Sequence, residues 1–218
     1  MDIKRLKTYI FVDFWNLQIS LNENVTDSSG EFWIDWPKLP KVVNEKIAAM
    51  VPIPDVVGVD ETRVYISFSD KEQDKRLVNW VNSWLKIQQG YKVTLKQRQK
   101  VEKPIHCNKC NRDITHCPHC SERIIQRKEK GIDTSIVTDM MKLAWENAFD
   151  IAVIFSADAD YIPVAEYLGE KGKKIVMSAF MPKGKDLRQA CWAHIDLWDI
   201  MFDIRDTNRG IQSAIQTD

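Results

Sequence analysis

Four clustered cysteines and a set of aspartates at the ends of apolar runs are the residues with which this sequence can do chemistry. Cys107-Asn-Lys-Cys110 and Cys117-Pro-His-Cys120 form two CxxC pairs six residues apart. Each pair presents two thiolates from one tight turn, and four thiolates complete a tetrahedral zinc shell at about 2.3 Å per bond. A filled shell leaves no position for substrate. The expected ion is therefore structural, replacing the hydrophobic core that so short a loop cannot build. His106, His116 and His119 are alternative ligands, and a redox role for the CxxC pairs is the competing reading. Cys191 lies in an apolar helical stretch and reads as core.

The aspartates fall in three separate segments. Asp13 follows the apolar run Tyr9-Ile-Phe-Val12, and Asp158 and Asp160 follow Ile151-Ala-Val-Ile-Phe-Ser156. Both runs read as buried strands, and ligands of open parallel sheets bind beyond the carboxyl ends of strands. The third segment runs from Lys130-Gly-Ile-Asp133 to Asp139. Asp139 stands three residues after Ile136 and four before Leu143, so helical spacing turns it toward the sheet. Asn16, three residues past Asp13, brings an amide suited to a metal-bound water or a phosphate oxygen. Each residue also has a plainer role open to it: a turn or cap for Asp13, helix caps for Asp133, Asp160 and Asn16. Phe14 and Trp15 read as core or as a stacking platform for a base.

Several carboxylates gathered at one sheet edge repel one another, and hard divalent cations with oxygen ligands offset that repulsion. Magnesium or manganese is the expected ion. Two such ions, roughly 3.5–4 Å apart, hydrolyse phosphodiesters without a histidine or cysteine nucleophile. This suits a chain with 4 histidines, three of them beside the cysteines.

Charge placement adds a candidate grip for nucleic acid. Lysine plus arginine and aspartate plus glutamate both total 31, so no global field attracts a polyanion. Residues Lys92 to Lys130, in contrast, carry a local balance of +7. Lys96, Arg98, Lys100, Arg127, Lys128 and Lys130 are the candidate phosphate contacts, with an ordinary solvated hairpin as the alternative.

The elements that must position these groups alternate. Strands are expected at Tyr9–Asp13, Arg63–Phe68, Tyr91–Arg98, Ile151–Ser156, Lys174–Phe180 and Ile195–Trp198. Helices are expected near Trp36–Met50, Glu72–Gln89, Thr134–Asn147, Tyr161–Gly169 and Asp186–Ala193. This alternation predicts an α/β fold with a mostly parallel sheet. Lys92–Glu102 and Arg123–Glu129 are expected to form a two-stranded ribbon with the cysteines at its tip. The main domain then spans 1–103 and 124–205, interrupted by a zinc-ribbon insertion at 104–123 and followed by a flexible tail at 206–218. With 44% apolar residues the 218-residue chain can fill a core. The apolar run near the N-terminus is short and interrupted by Asp13, unlike a signal peptide, and no stretch has the length of a bilayer span. Four close cysteines fit a reducing compartment, and a cytoplasmic protein without membrane association is expected.

Val12-Asp13-Phe-Trp-Asn16, Lys130-Gly-Ile-Asp133 through Asp139, and Phe155-Ser-Ala-Asp158-Ala-Asp160-Tyr161-Ile-Pro163 together resemble the NYN domain of the LabA-like group, within the PIN-like nuclease superfamily. The resemblance extends from Tyr9 to about Ile200 and includes Asp186-Leu-Arg-Gln-Ala-Cys-Trp-Ala-His-Ile-Asp196 near its end. It implies a PIN-like, Rossmannoid three-layer sandwich, divalent metal and ribonuclease activity. Asp13, Asp133, Asp139 and Asp158 match the family's acidic positions, with Asn16 and Asp160 beside them. Two departures stand out: the family's usual Ser-Gly-Asp turn reads Ser156-Ala157-Asp158 here, and the four-cysteine insertion occurs in only some members. The expected function is a metal-dependent endoribonuclease acting on RNA, with DNA as a possible substrate and a homodimer as a possible assembly. The alternatives are a catalytically silent module that binds nucleic acid or recruits proteins through the zinc ribbon, and a phosphatase. Haloacid-dehalogenase phosphatases usually place a second aspartate two residues after the first, and that position holds Trp15.

Overall fold

The computed structural model describes residues 3–25, 31–52 and 55–207. Its central layer is a six-stranded sheet in which every pairing is parallel. In chain order the strands are β1 (Arg5–Asp13), β2 (Val56–Phe68), β3 (Tyr91–Gln97), β8 (Ile151–Phe155), β9 (Lys174–Ala179) and β10 (Ala193–Asp196). Across the sheet they lie in the order β10-β9-β8-β1-β2-β3. The chain thus winds outward from β1 to β3, then returns to the far side of β1 and winds outward again. This reversal opens a crevice between the carboxyl ends of β1 and β8, where open α/β sheets place their ligands.

Alternate strand residues serve opposite faces. Ile10, Val12, Val64, Ile66, Val153 and Phe155 belong to one buried cluster, which also takes Leu17 and Leu21 from α1 (Phe14–Glu23), Val43 and Ile47 from α2 (Leu39–Met50) and Val81 from α3 (Glu72–Ser83). Phe11, Tyr65, Ala152 and Ile154 belong to the other cluster. There they meet Ile136 and Met140 of α4 (Ile132–Trp145), Val164 and Leu168 of α5 (Ile162–Glu170) and Leu187 of α6 (Lys185–Ala190). Asp13 has the parity of Phe11 and lies on the α4–α5 side.

The expected strands and helices all form, with shifted ends. α1 is an addition: Phe14, Leu17 and Leu21 give it a buried stripe at helical spacing, and Asp13 caps it by accepting from the Asn16 backbone N–H at 3.2 Å. β2 begins seven residues before the expected Arg63 because parallel pairing with β1, from Arg5↔Val56 onward, carries the strand through a polar stretch. The basic arm divides at Arg98. β3 completes the sheet, while β4 (Gln99–Glu102) pairs antiparallel with β7 (Ile125–Lys128) as the base of the ribbon. Beyond it, β5 (Ile105–Cys107) and β6 (Arg112–Ile114) form a small hairpin. No helix among the described residues is long and apolar enough to cross a membrane. Most of the tail expected after residue 205 lies outside the described residues.

Candidate active site at the carboxyl edge of the sheet

At the crevice, Asp13 is buried, with 6% of its surface exposed. Burial pushes its carboxyl up to about 7, and the neighbouring acids Asp133, Glu129 and Asp158 push in the same direction against the Asn16 N–H. Carboxylates from four segments therefore lie within electrostatic reach at this edge of the sheet: the end of β1, the chain leaving the ribbon, the first turn of α4 and the turn after β8.

Each group is held locally. Asp133 sits in the first turn of α4, whose N-cap is Gly131, and accepts a hydrogen bond from the Tyr161 hydroxyl at 2.8 Å. Burial and the surrounding aspartates keep that phenol far above its ordinary value, so Tyr161 stays protonated as a donor. Asp158 is the exposed cap of a short 3₁₀ turn, accepting from the Asp160 N–H at 3.0 Å, while its own N–H donates to Ser156 Oγ at 3.2 Å. Asn16 Oδ1 accepts from the Ala157 N–H at 3.3 Å and so ties the start of α1 to the Asp158 turn. Asp160 is exposed on the same turn. Ala157 stands against Gly184, where an added Cβ would meet Ala157 Cα at 3.1 Å and Cβ at 3.2 Å. The missing side chain of Gly184 makes room for the methyl of Ala157. Ala157 is also not among the non-glycine residues with positive φ, so this turn does not require glycine.

Asp139 is placed apart. Its carboxylate accepts from Arg63 Nη1 at 2.8 Å and from the Tyr65 hydroxyl at 2.7 Å. It faces inward as its spacing predicts, and a cation from β2 meets it there. Glu129, an acid within the basic stretch, was not among the expected site residues. Glu129 accepts from the Ser67 hydroxyl, and Arg98 Nη2 approaches it at 3.7 Å. Arg98 also donates to Ser67 Oγ at 2.9 Å and lies 5.2 Å above the Trp15 ring. The position of Glu129 between the ribbon and the Gly131 helix start was the signal available.

No lysine or arginine forms an ion pair with Asp13, Asp133 or Asp158 among the described residues. Clustered, anionic, hard oxygen donors without a counter-charge suit a magnesium or manganese ion. The cysteine turns also suit their expected ion chemically. Asn111 N–H donates to Cys107 O at 2.8 Å and Ser121 N–H to Cys117 O at 2.9 Å, and both Asn111 and Ser121 have positive φ. In each turn backbone N–H groups at the last two positions hold the first thiol below its ordinary value. The two turns are thus built alike. Among the described residues, no three histidine, cysteine, aspartate or glutamate side chains converge as a ligand set at either place.

The basic candidates divide. Lys100 and Arg127 both pair with Asp70, at 2.5 and 2.6 Å, and Lys96 Nζ donates to Gly131 O at 2.8 Å. Lys128 stands beside Lys103 and Lys130, which hold its amine below the usual lysine value. These three form the positive patch of the ribbon.

The NYN domain family model matches residues 7–198. No curated protein matches the sequence. Among solved structures, a protein of unknown function from Vibrio parahaemolyticus is similar in fold, with a TM-score of 0.58, 16% identity and coverage of 94% of this chain and 99% of that one.

Proposed function

The chain belongs to the NYN domain family, within the PIN-like nuclease superfamily, and we propose that it is a metal-dependent endoribonuclease whose acidic edge hydrolyses RNA phosphodiester bonds. The observation that carries this reading is the burial of Asp13 at the carboxyl end of β1, within electrostatic reach of Asp133, Asp158 and Glu129 and with no basic partner for the three aspartates among the described residues. Asp13, Asp133 and Asp158 are assigned to hold one or two magnesium or manganese ions, with Glu129 as the fourth carboxylate and Asp160 at the rim. A bound divalent ion supplies positive charge to the phosphoryl oxygens and to the attacking water. Asn16 fixes the Asp158 turn through Ala157, and Tyr161 orients Asp133. Asp139, already paired with Arg63, is assigned to orienting α4 against the sheet.

The ribbon patch of Lys103, Lys128 and Lys130 is assigned to the phosphate backbone, giving sequence-independent affinity that falls with salt. Lys96, Arg98, Lys100 and Arg127 support the ribbon base. Cys107, Cys110, Cys117 and Cys120 are assigned to one structural zinc, which draws the two like turns together. Four thiols in this arrangement suit a reducing compartment such as the cytoplasm.

The test is incubation of the full chain with labelled single-stranded RNA or matching DNA, with manganese, magnesium or EDTA, beside an Asp13→Asn/Asp158→Asn double variant. Cleavage of RNA that needs metal and disappears in the variant is expected. Salt-sensitive binding without cleavage by either protein would sink the nuclease reading in favour of a recruiting module.

A further inference from the structure

Behind the acidic edge, on the opposite face of the sheet, lies a cavity of about 520 Å³ between the start of α1, the segment before α2, and α3. Two aromatic pairs line its walls. Phe14 stacks on Trp36 with ring centroids 6.2 Å apart, and Trp80 stacks on Trp84 at 5.6 Å. Trp33 closes one side with 38% of its surface exposed. The strand-like segment that carries it is pinned from three directions: Gln18 Nε2 donates to Phe32 O at 2.7 Å, the Asp206 N–H to Trp33 O at 2.8 Å, and the Asp35 N–H to Ile204 O at 2.8 Å. The Trp80 indole N–H is buried without a hydrogen-bond partner among the described residues. Arg76 contributes an exposed guanidinium with no ion pair among them.

We propose that this cavity is a base-binding subsite that takes one unpaired nucleobase of a single-stranded RNA whose backbone crosses the acidic edge. The inference rests on the nuclease reading and adds to it a preference for unpaired substrate. Three observations choose a nucleobase over an apolar peptide. Preset aromatic planes match a planar heterocycle, and stacking on them tolerates any base. Gln18, Asp35 and Asp206 add polar groups to those planes, and Arg76 gives a cation for the adjoining phosphate. Continuity is the third: Phe14 of the cavity wall follows Asp13 directly, so their Cα atoms are about 3.8 Å apart. From Phe14 the contacts run on through Trp15, whose indole donates to Ser67 O at 2.7 Å, and from Ser67 to Glu129.

Saturation-transfer NMR on the Asp13→Asn/Asp158→Asn protein in EDTA separates this inference from catalysis, because binding is read with the metal site disabled. The probes are AMP, UMP and ribose 5-phosphate, and melting temperatures check that each variant folds. Base protons of both nucleotides should receive more saturation than ribose protons, and ribose 5-phosphate should receive little. Adding Trp33→Ala should weaken nucleotide binding about five-fold or more, the lower end of the loss expected from removing a base stack. Trp33→Phe should largely restore it, and Arg76→Ala should weaken AMP. The subsite is overturned if the nucleotides fail to bind, if Trp33→Ala and Arg76→Ala both leave binding unchanged, or if a leucine-rich decapeptide binds there and AMP does not displace it.

Discussion

At the acidic edge, Asp13 and Asp158 follow strands whose closing residues are wholly buried, whereas in the ribbon four thiols ride on short hairpins whose strands are largely exposed. Two hydrophobic layers anchor the strands and helices that carry the aspartates. The cysteines have no such support, and only local turn hydrogen bonds hold each pair. One region holds its carboxylates near one another at an electrostatic cost, since like charges repel. The other exposes most of its residues and has little apolar burial, so the structural ion proposed for it would supply the folding free energy.

The largest expected consequence is catalytic. Asp13→Asn combined with Asp158→Asn should lower RNA cleavage by about a thousand-fold or more, with the circular dichroism spectrum unchanged. Cys107→Ser with Cys110→Ser should leave hydrolysis of a short RNA within about ten-fold of the parent, since the ribbon holds no group of the acidic edge except through Glu129. A reversal of these two effects would break the contrast between the regions.

The next effect is on stability. In the metal-free protein the Asp13 carboxyl is raised from 3.8 to about 7. Its neutral form therefore stabilises the fold fully below about pH 4, and that contribution is lost as pH rises through 7. Over that window, urea unfolding in EDTA should show a loss on the order of 2–4 kcal/mol attributable to this group. Asp13→Asn should flatten the slope, and manganese at pH 8 should stabilise the parent but not the variant.

Asp139 sharpens the boundary of the site. Its partner Arg63 has 14% of its side chain exposed and Asp139 itself 29%, so Asp139→Asn should cost about 2 kcal/mol of stability through a weakened charged hydrogen bond. Cleavage at a temperature where the variant is folded should change only a few-fold. A loss as large as that of Asp13→Asn would move Asp139 into the metal site.

The smallest global effect belongs to the ribbon. Removing zinc should speed proteolysis between residues 105 and 124 while altering the unfolding free energy of the sheet by about 1 kcal/mol or less.

What the sequence revealed follows the same division. The inner strands β1, β8 and β9 were legible because each holds a short apolar run with a turn or helix signal behind it, and β3 because Tyr91, Val93 and Leu95 alternate with polar residues. Helix α1 was harder to see, since Asn16, Gln18, Ser20 and Asn22 dilute its Phe14, Leu17 and Leu21 stripe. The first half of β2 was hidden because Gly58, Asp60 and Glu61 are poor strand residues that pairing with β1 overrides. Asp13 and Asp158 could be placed from strand ends alone. Asp139 looked equivalent to them because spacing shows that a carboxylate faces inward but not what it will meet. Arg63, 76 residues away, was its answer. Glu129 was masked for the opposite reason: its neighbours in sequence are basic, and the return of the ribbon to Ser67 carries it toward the aspartates.

That return gives the ribbon a property of its own. Arg98, where the chain leaves the sheet, and Glu129, where it comes back, both bond to the hydroxyl of Ser67. The intervening thirty residues begin and end at one point, bridged at once by the Gln99↔Lys128 pair. A segment anchored in this way can be lengthened, exchanged or cut out without moving the strands on either side. The fold thus carries a ready-made socket for cassettes of different shape, and the cassette it holds here is joined to the acidic edge through that same serine.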